Sequence, residues 1–257
     1  MITTYYRPSS LQEALDLLAD PKNTLQPMGG GTTLSRRKSD DFGVVDLQAL
    51  DLGTIETEGQ RITAGAMVRL ADLLAHPDVG GEMKRAIRLD AAANVRNMAT
   101  LGGSVVVMDG RSALLAVLLA LDTSLTWEPD EKRIRLGNWL PLRRDSSPGA
   151  ILTYLEWRLR PVLVFESVAR SPKDRPILIV AAAQWGSGRT RIVLGGFGQA
   201  PIVAMDGPES GGVDVASRDA YAEAGDQWAS ARYRREVAAR LALRCLDRID
   251  AINEKEG

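Results

Sequence analysis

The sequence predicts an α+β protein in two parts, and three observations carry that prediction. Helical patterns and hairpin patterns are mixed without the strict strand–helix–strand alternation of a doubly wound sheet. The glycine fingerprints of such sheets, GxGxxG after a strand and GxxxxGK(S/T), do not occur. The character of the chain also changes after Pro161, where strand pairs around a glycine turn replace the mixed pattern and one long helix closes the chain.

The elements follow in order. Ser10 and Glu13 form a capping-box pattern that opens a helix with Leu11, Leu15 and Leu18 inward, ended by Asp20-Pro21. Residues 24–28 and 44–47 are short apolar strand candidates, with GGGTTL at 29–34 between them. Residues 55–67 form a hairpin turning at Glu58-Gly59-Gln60, followed by helical patterns at 69–75 and 83–93. A second glycine segment, NMATLGGSVVV, leads to a helix at 112–121. Residues 124–127 and 134–136 make another hairpin, and 151–159 a long strand that stops at Pro161. Beyond it, residues 177–185 and 190–197 flank the turn Gly186-Ser187-Gly188, residues 205–217 read as a loop, and residues 231–252 as an amphipathic helix.

With 257 residues, 45% hydrophobic and 25% charged, the chain has ordinary globular composition. Lys plus Arg is 32 against 33 for Asp plus Glu, so no basic field exists to hold nucleic acid or an anionic membrane. No apolar run approaches the roughly 18 residues of a membrane span, and the N-terminus carries no secretory pattern, so a cytoplasmic protein is expected. Cys245 and His76 are the only residues of their types. That excludes an intramolecular disulfide, a Cys/His zinc site and a Cys-ligated iron–sulfur cluster within one chain; a carboxylate-only Mg²⁺ or Ca²⁺ site stays open but has no EF-hand spacing behind it, and no metal ligand is assigned. His76, before Pro77, reads as a helix C-terminus, and Cys245 falls in the core row Tyr233, Val237, Leu241, Cys245, Ile249 and Ile252. No general acid or base is assigned. Difficult chemistry would have to come from a cofactor.

The best chemical signals are Gly29-Gly30-Gly31-Thr32-Thr33 and Thr100-Leu101-Gly102-Gly103-Ser104. Glycine allows close backbone approach and positive φ, exposing successive N–H groups, and the hydroxyls add donors. Two such turns facing one another suit a diphosphate; two tight turns after strands are the plainer reading of the same residues.

In combination these motifs resemble the FAD-binding medium subunit of molybdenum hydroxylases, the carbon monoxide dehydrogenase and xanthine dehydrogenase family. YYRPSSLQEALDLLAD resembles its opening, PMGGGTTL its AGGTDL phosphate loop, and AAANVRNMATLGG its second glycine segment. VVDLQAL, ITAGAMV, LLALDTSL, VARSPKDRPILIVAAA, LGGFGQAP and SARYRREVAARLALRCL follow in the family's order. The resemblance implies a two-subdomain PCMH-type FAD-binding domain over 1–161, with subdomains about 1–52 and 53–161. A smaller α+β domain with antiparallel strands, like the C-terminal domain of the CO dehydrogenase flavoprotein, would follow over 162–257. It further implies FAD as cofactor, held by Gly29–Thr33, Thr100–Ser104 and Asp109. The implied partners are a small subunit with 2Fe–2S clusters and a large molybdopterin subunit, in a heterotrimer or its dimer. The implied role is electron transfer from those clusters through FAD to an acceptor.

Departures from the family pattern gather near the second segment. Ala99 stands for glycine, Ser104 for asparagine, VVMDGRS for the usual Ala-Ser-Pro run, and Ser112 where an acid commonly falls. Ser167 replaces a lysine and Thr33 an aspartate. They define an alternative, a cofactor-free scaffold that docks the cluster and molybdenum subunits. A free-standing FAD oxidase is a third reading, for which the second domain offers no histidine or cysteine.

Overall fold

The computed structural model describes residues 1–22, 24–34, 41–145, 149–172 and 174–256. It divides into two units of three segments each. The first takes Met1–Asp78, Ala91–Val107 and Ser124–Trp157, the second Val79–Asp90, Met108–Thr123 and Arg158–Gly257. The chain thus crosses five times between units where the sequence suggested one cut near residue 162. The reason is compositional: two helices from the N-terminal part carry apolar surface that completes the second core.

The first unit opens with β1 (Ile2–Tyr6), α1 (Leu11–Ala19), β2 (Leu25–Met28) and β3 (Phe42–Asp46), the strands forming a parallel sheet in the order β1-β3-β2. Ser10 caps α1, its hydroxyl accepting from Glu13 N at 3.2 Å. The Glu13 carboxylate reaches back to Ser9 N at 2.8 Å, one residue earlier than a standard capping box. Ala14, Leu15 and Leu18 pack with Val45, Leu47, Leu50, Leu52 and Ile151.

Next come β4 (Ile55–Glu58), β5 (Arg61–Gly65) and α2 (Leu70–Ala75), which ends on His76 as its C-cap. Helix α3 (Gly81–Asp90) belongs to the second unit, while α4 (Ala93–Arg96) and α5 (Leu101–Val107) return to the first. Helix α6 (Ala113–Ala120) is again in the second unit. Strands β6 (Ser124–Glu128), β7 (Lys132–Arg135), the short α7 (Leu136–Trp139) and β8 (Ile151–Arg158) complete the first unit's other sheet, in the order β4-β5-β8-β6-β7.

The second unit is built on β9 (Val162–Val168), β10 (Leu178–Gln184), β11 (Thr190–Gly195) and β12 (Ile202–Gly207), antiparallel in the order β12-β11-β10-β9. Alternate residues Leu178, Val180, Ala182, Ile192 and Leu194 form one core with side chains from α8 (Val213–Ala220) and α9 (Ala231–Glu256). Helices α3 and α6 also pack on this sheet. Covered on both faces, β10 and β11 read as continuous apolar runs. Helix α6, ALLAVLLA, is apolar on every side and wholly buried, as such a helix must be.

Strands β1, β9 and β12 and helix α8 escape the sequence pattern. Strand β1 is exposed along its length and lacks an alternating apolar face. Helix α8 starts after Gly212 in the left-handed region with no side-chain cap, so no start signal marks it.

Cys245 is buried on α9, its thiol 3.7 Å from Val180 O. Burial, with Glu166 nearby, pushes the thiol up to about 12. The thiolate population at pH 8 is therefore negligible in the folded chain. Iodoacetamide at pH 8 should leave native protein unlabelled and add one group per chain in guanidinium; rapid native labelling, read by mass spectrometry, would contradict this placement.

Candidate functional site

The two glycine segments meet inside the first unit. Gly30 has no room for a side chain: a Cβ there would lie 1.6 Å from Met98 O and 3.1 Å from Ala99 N. At Gly29 a Cβ would lie 2.5 Å from Thr100 Oγ1. Glycine at these positions serves close approach of two backbones. Positive φ is confined to Gly31 within the two segments, at +67°.

The segments differ in what their backbones offer. Among the described residues, the N–H groups of Gly30, Gly31, Thr32 and Thr33 donate to no partner. Gly29 to Thr32 are half-buried and Thr33 is exposed, so these donors lie at an accessible surface.

The second segment departs from the expected turn. It is the start of α5, and its glycines are helical. Its donors are spent: Leu101 N donates to Val68 O at 2.8 Å, Gly102 N to Ala66 O at 2.9 Å, and Gly103 N to Thr100 Oγ1 at 3.2 Å. Leu70 N donates to Ala99 O at 2.9 Å, and Arg69 and Thr100 form an isolated antiparallel bridge. Residues 66–70 thus stitch this segment in place. ITAGAMV, noticed in the sequence as a motif, gave no sign of that role because backbone carbonyls leave no mark in residue type.

Gly102 packs against Ala66, where a Cβ would come within 2.6 Å of the alanine Cβ. The second segment exposes Gly103, with the Thr100 and Ser104 side chains buried beside it. The same stretch carries exposed Met98, Val106 and Val107.

The departures are accommodated without disturbance. Ala99 is buried, and its N–H donates to Val95 O at 2.7 Å. Ser104 N donates to Thr100 O at 2.9 Å, continuing the helix. Asp109 lies in the second unit, where its carboxylate accepts from Arg111 N at 2.9 Å and from Arg175 Nη1 at 3.0 Å. Partial burial pushes this carboxyl upward, but the Arg175 and Arg111 contacts outweigh it and hold the group below the usual range. Gly110 is clamped to the turn after β11, its N–H donating to Gly198 O at 3.1 Å while its carbonyl accepts from Gly196 N at 2.6 Å. No group of His, Cys, Asp and Glu suited to a metal ion occurs among the described residues. Among them, too, no helix is long and apolar enough to cross a membrane.

An array of uncharged N–H and hydroxyl donors beside a glycine-lined backbone contact fits a diphosphate. Comparison with known proteins points the same way. The family model for the FAD-binding domain in molybdopterin dehydrogenase matches residues 1–156. The chain is 29% identical over 225 residues to the glyceraldehyde dehydrogenase medium chain of Sulfolobus acidocaldarius, covering 79% of this chain and 78% of that one. In fold it is similar to quinoline 2-oxidoreductase from Pseudomonas putida 86, with TM-score 0.81, 21% identity and 97% of each chain covered. It is similarly close to carbon monoxide dehydrogenase from Hydrogenophaga pseudoflava, with TM-score 0.80, 21% identity and 98% of each chain covered.

Proposed function

Because this chain belongs to the family of FAD-binding domains in molybdopterin dehydrogenases, we propose that it is the electron-transfer subunit of a molybdenum hydroxylase. It would take electrons from 2Fe–2S clusters on a small partner subunit, downstream of a large molybdopterin subunit, in a heterotrimer or its dimer. Bound FAD supplies the redox chemistry; the chain supplies binding, orientation and access. A cytoplasmic location accords with this role.

The observation that carries the reading is the meeting of the glycine segments, with the N–H groups of residues 30–33, which have no acceptor among the described residues, at an accessible surface. Gly29, Gly30, Gly31, Thr32 and Thr33 would hold the diphosphate by backbone N–H and hydroxyl donors. Thr100 and Ser104 would add hydroxyls, with Leu101, Gly102 and Gly103 fixing the start of α5 beneath them. Exposed Met98, Val106 and Val107 offer apolar surface on the same segment for a planar ring system. Asp109 enters as a brace through Arg175. Along the chain, 1–161 would carry the FAD-binding work and 162–257 the C-terminal flavoprotein part. The cofactor-free scaffold is not favoured, since Ala99 and Ser104 fit their places.

The test is the visible absorption spectrum of the purified chain before and after incubation with FAD and desalting. Retained flavin bands at about one FAD per chain are the expected result. A protein folded by circular dichroism that takes up no FAD would overturn the proposal.

A further inference from the structure

The second glycine segment is carried on an excursion of the chain. Residues 91–107 leave the second unit to join the first, and residues 108–111 lead back. The excursion departs at Asp90, the last residue of α3, and ends at Ser112, the N-cap of α6. These two residues are bonded to each other: Ser112 Oγ donates to Asp90 Oδ2 at 2.6 Å. The carboxylate also accepts from Ala113 N at 2.8 Å and Leu114 N at 2.9 Å, while Ser112 Oγ accepts from Leu115 N at 3.0 Å.

Ser112 alone would cap α6 adequately. The added carboxylate ties the helix start to the end of α3, closing the neck of the loop formed by residues 91–111. It does so at a cost, since burial pushes the Asp90 carboxyl upward, against the pull of Ser112 and the two backbone N–H groups.

We propose that Asp90 and Ser112 are a positioning pair for FAD, closing the neck of the excursion so that residues 100–104 are held in order before the cofactor arrives. This rests on the FAD reading above. A closed neck removes conformational freedom that the excursion would otherwise lose on binding. Both residues lie outside the glycine segments in sequence, and their influence runs through the chain they fasten.

The experiment compares full-length Asp90→Ala, Ser112→Ala and Asp90→Asn with wild type, measuring FAD affinity by flavin fluorescence titration and hydrogen exchange of residues 91–107 without FAD. Asp122→Asn, at the far end of α6, serves as a destabilising comparator because Asp122 pairs with Arg191 at 2.7 Å. Asp90→Ala should weaken FAD binding about tenfold, within the usual span of coupling between separate sites, and speed exchange across 91–107. Ser112→Ala, the milder change, should do the same to a smaller degree. Asp90→Asn should recover only part of both, since its single amide oxygen can accept from one of the two helix N–H groups while its amide nitrogen meets the other donor with a donor. Asp122→Asn should lower Tm with FAD affinity unchanged.

Unchanged FAD affinity in both Asp90→Ala and Ser112→Ala, with wild type binding normally, would overturn the pair's role and leave the FAD reading standing. An equal loss of affinity in Asp122→Asn would also overturn it, by making general stability the cause. Wild type that takes up no FAD would remove the reading beneath it as well.

Discussion

Gly30→Ala should abolish stable FAD retention, because its added methyl carbon has nowhere to go. The carbon would sit 1.6 Å from Met98 O and 2.4 Å from Met98 C, both backbone atoms that no rotamer change can move. The two glycine segments would have to separate by more than an ångström, carrying the N–H groups of residues 30–33 away from Thr100 and the start of α5. Overpacking of this kind costs about 1–3 kcal/mol or more in stability. Misplaced binding groups add to that, so FAD affinity should fall by at least about tenfold, or 1.4 kcal/mol.

Neighbouring glycines provide an internal scale. Gly102→Ala meets Ala66 Cβ at 2.6 Å, a side chain backed by its own main chain, and should be milder. Among the described residues the new carbon at Gly31 meets only the Met28 side chain, at 3.5 Å and beyond, leaving the strain of φ +67° at about 1–2 kcal/mol. The expected order of FAD loss is Gly30, Gly102, Gly31, read from flavin absorbance after desalting. Full retention in Gly30→Ala would show that the diphosphate site lies elsewhere.

The largest effect on stability should come from Arg234→Met. This arginine is entirely buried at the start of α9, and its guanidinium gathers three separate stretches of the second unit, at 177, at 196 and over 224–229. Nε donates to Ile177 O at 3.0 Å, and Nη1 to Ala224 O at 2.7 Å and Ala229 O at 3.1 Å. Nη2 donates to Gly196 O at 3.4 Å and to both oxygens of Asp226 at 2.9 and 3.0 Å. The cation also lies over the Phe197 ring, 5.1 Å from its centroid.

Methionine fills similar volume but leaves these carbonyls and one carboxylate without their donor. Each buried carbonyl left without its donor costs about 1–3 kcal/mol, and at about 2–4 °C per kcal/mol for a chain of this size the fall in Tm should be about 10 °C or more. Arg234→Lys should recover only part, since one ammonium cannot reproduce the fork. A Tm within a degree or two of wild type for Arg234→Met would contradict the knot's importance.

The pH dependence has a definite sign. Desolvation pushes Asp226 upward, but Trp228 N, Arg234 and Ala229 N together hold it below the ordinary carboxylate value. A carboxyl lowered on folding contributes stability above its unfolded pKa, and that contribution is lost as pH falls through the lowered value. Acid should therefore narrow the gap in Tm between wild type and Asp226→Asn.

What could be read from residue types was what residue types determine locally. The Ser10 cap, the hairpin at Glu58-Gly59-Gln60, the apolar run of α6 and the buried row of α9 all declare themselves through turn chemistry or periodicity. Tyr233 is the exception in that row, half-exposed at the beginning of the helix. The meeting of Gly29-Gly30 with Met98-Ala99 was legible only as two glycine-rich stretches of matching chemistry, since their contact is made by main chain. The same residue types misled at Gly102, where glycine serves helix packing against Ala66 rather than a turn. Asp90 gave no sign at all: an acid at the end of a helix looks like surface until a partner 22 residues away buries it. Arg234 reads in sequence as one charge among many in SARYRREVAARLALR, and only the acceptors gathered from distant turns distinguish it.

The five crossings between the units bear on how such a chain can be inherited. Modules joined end to end can be exchanged through a single break in their gene, each half keeping its own interior. A break after codon 161 would part α6, apolar on every side, from β10 and β11, and would part α3 from β9. One product would carry a helix with no face fit for water, and the other a sheet stripped of part of its cover. A cut at the apparent seam therefore leaves apolar surface uncovered on both sides, so neither half keeps an interior of its own.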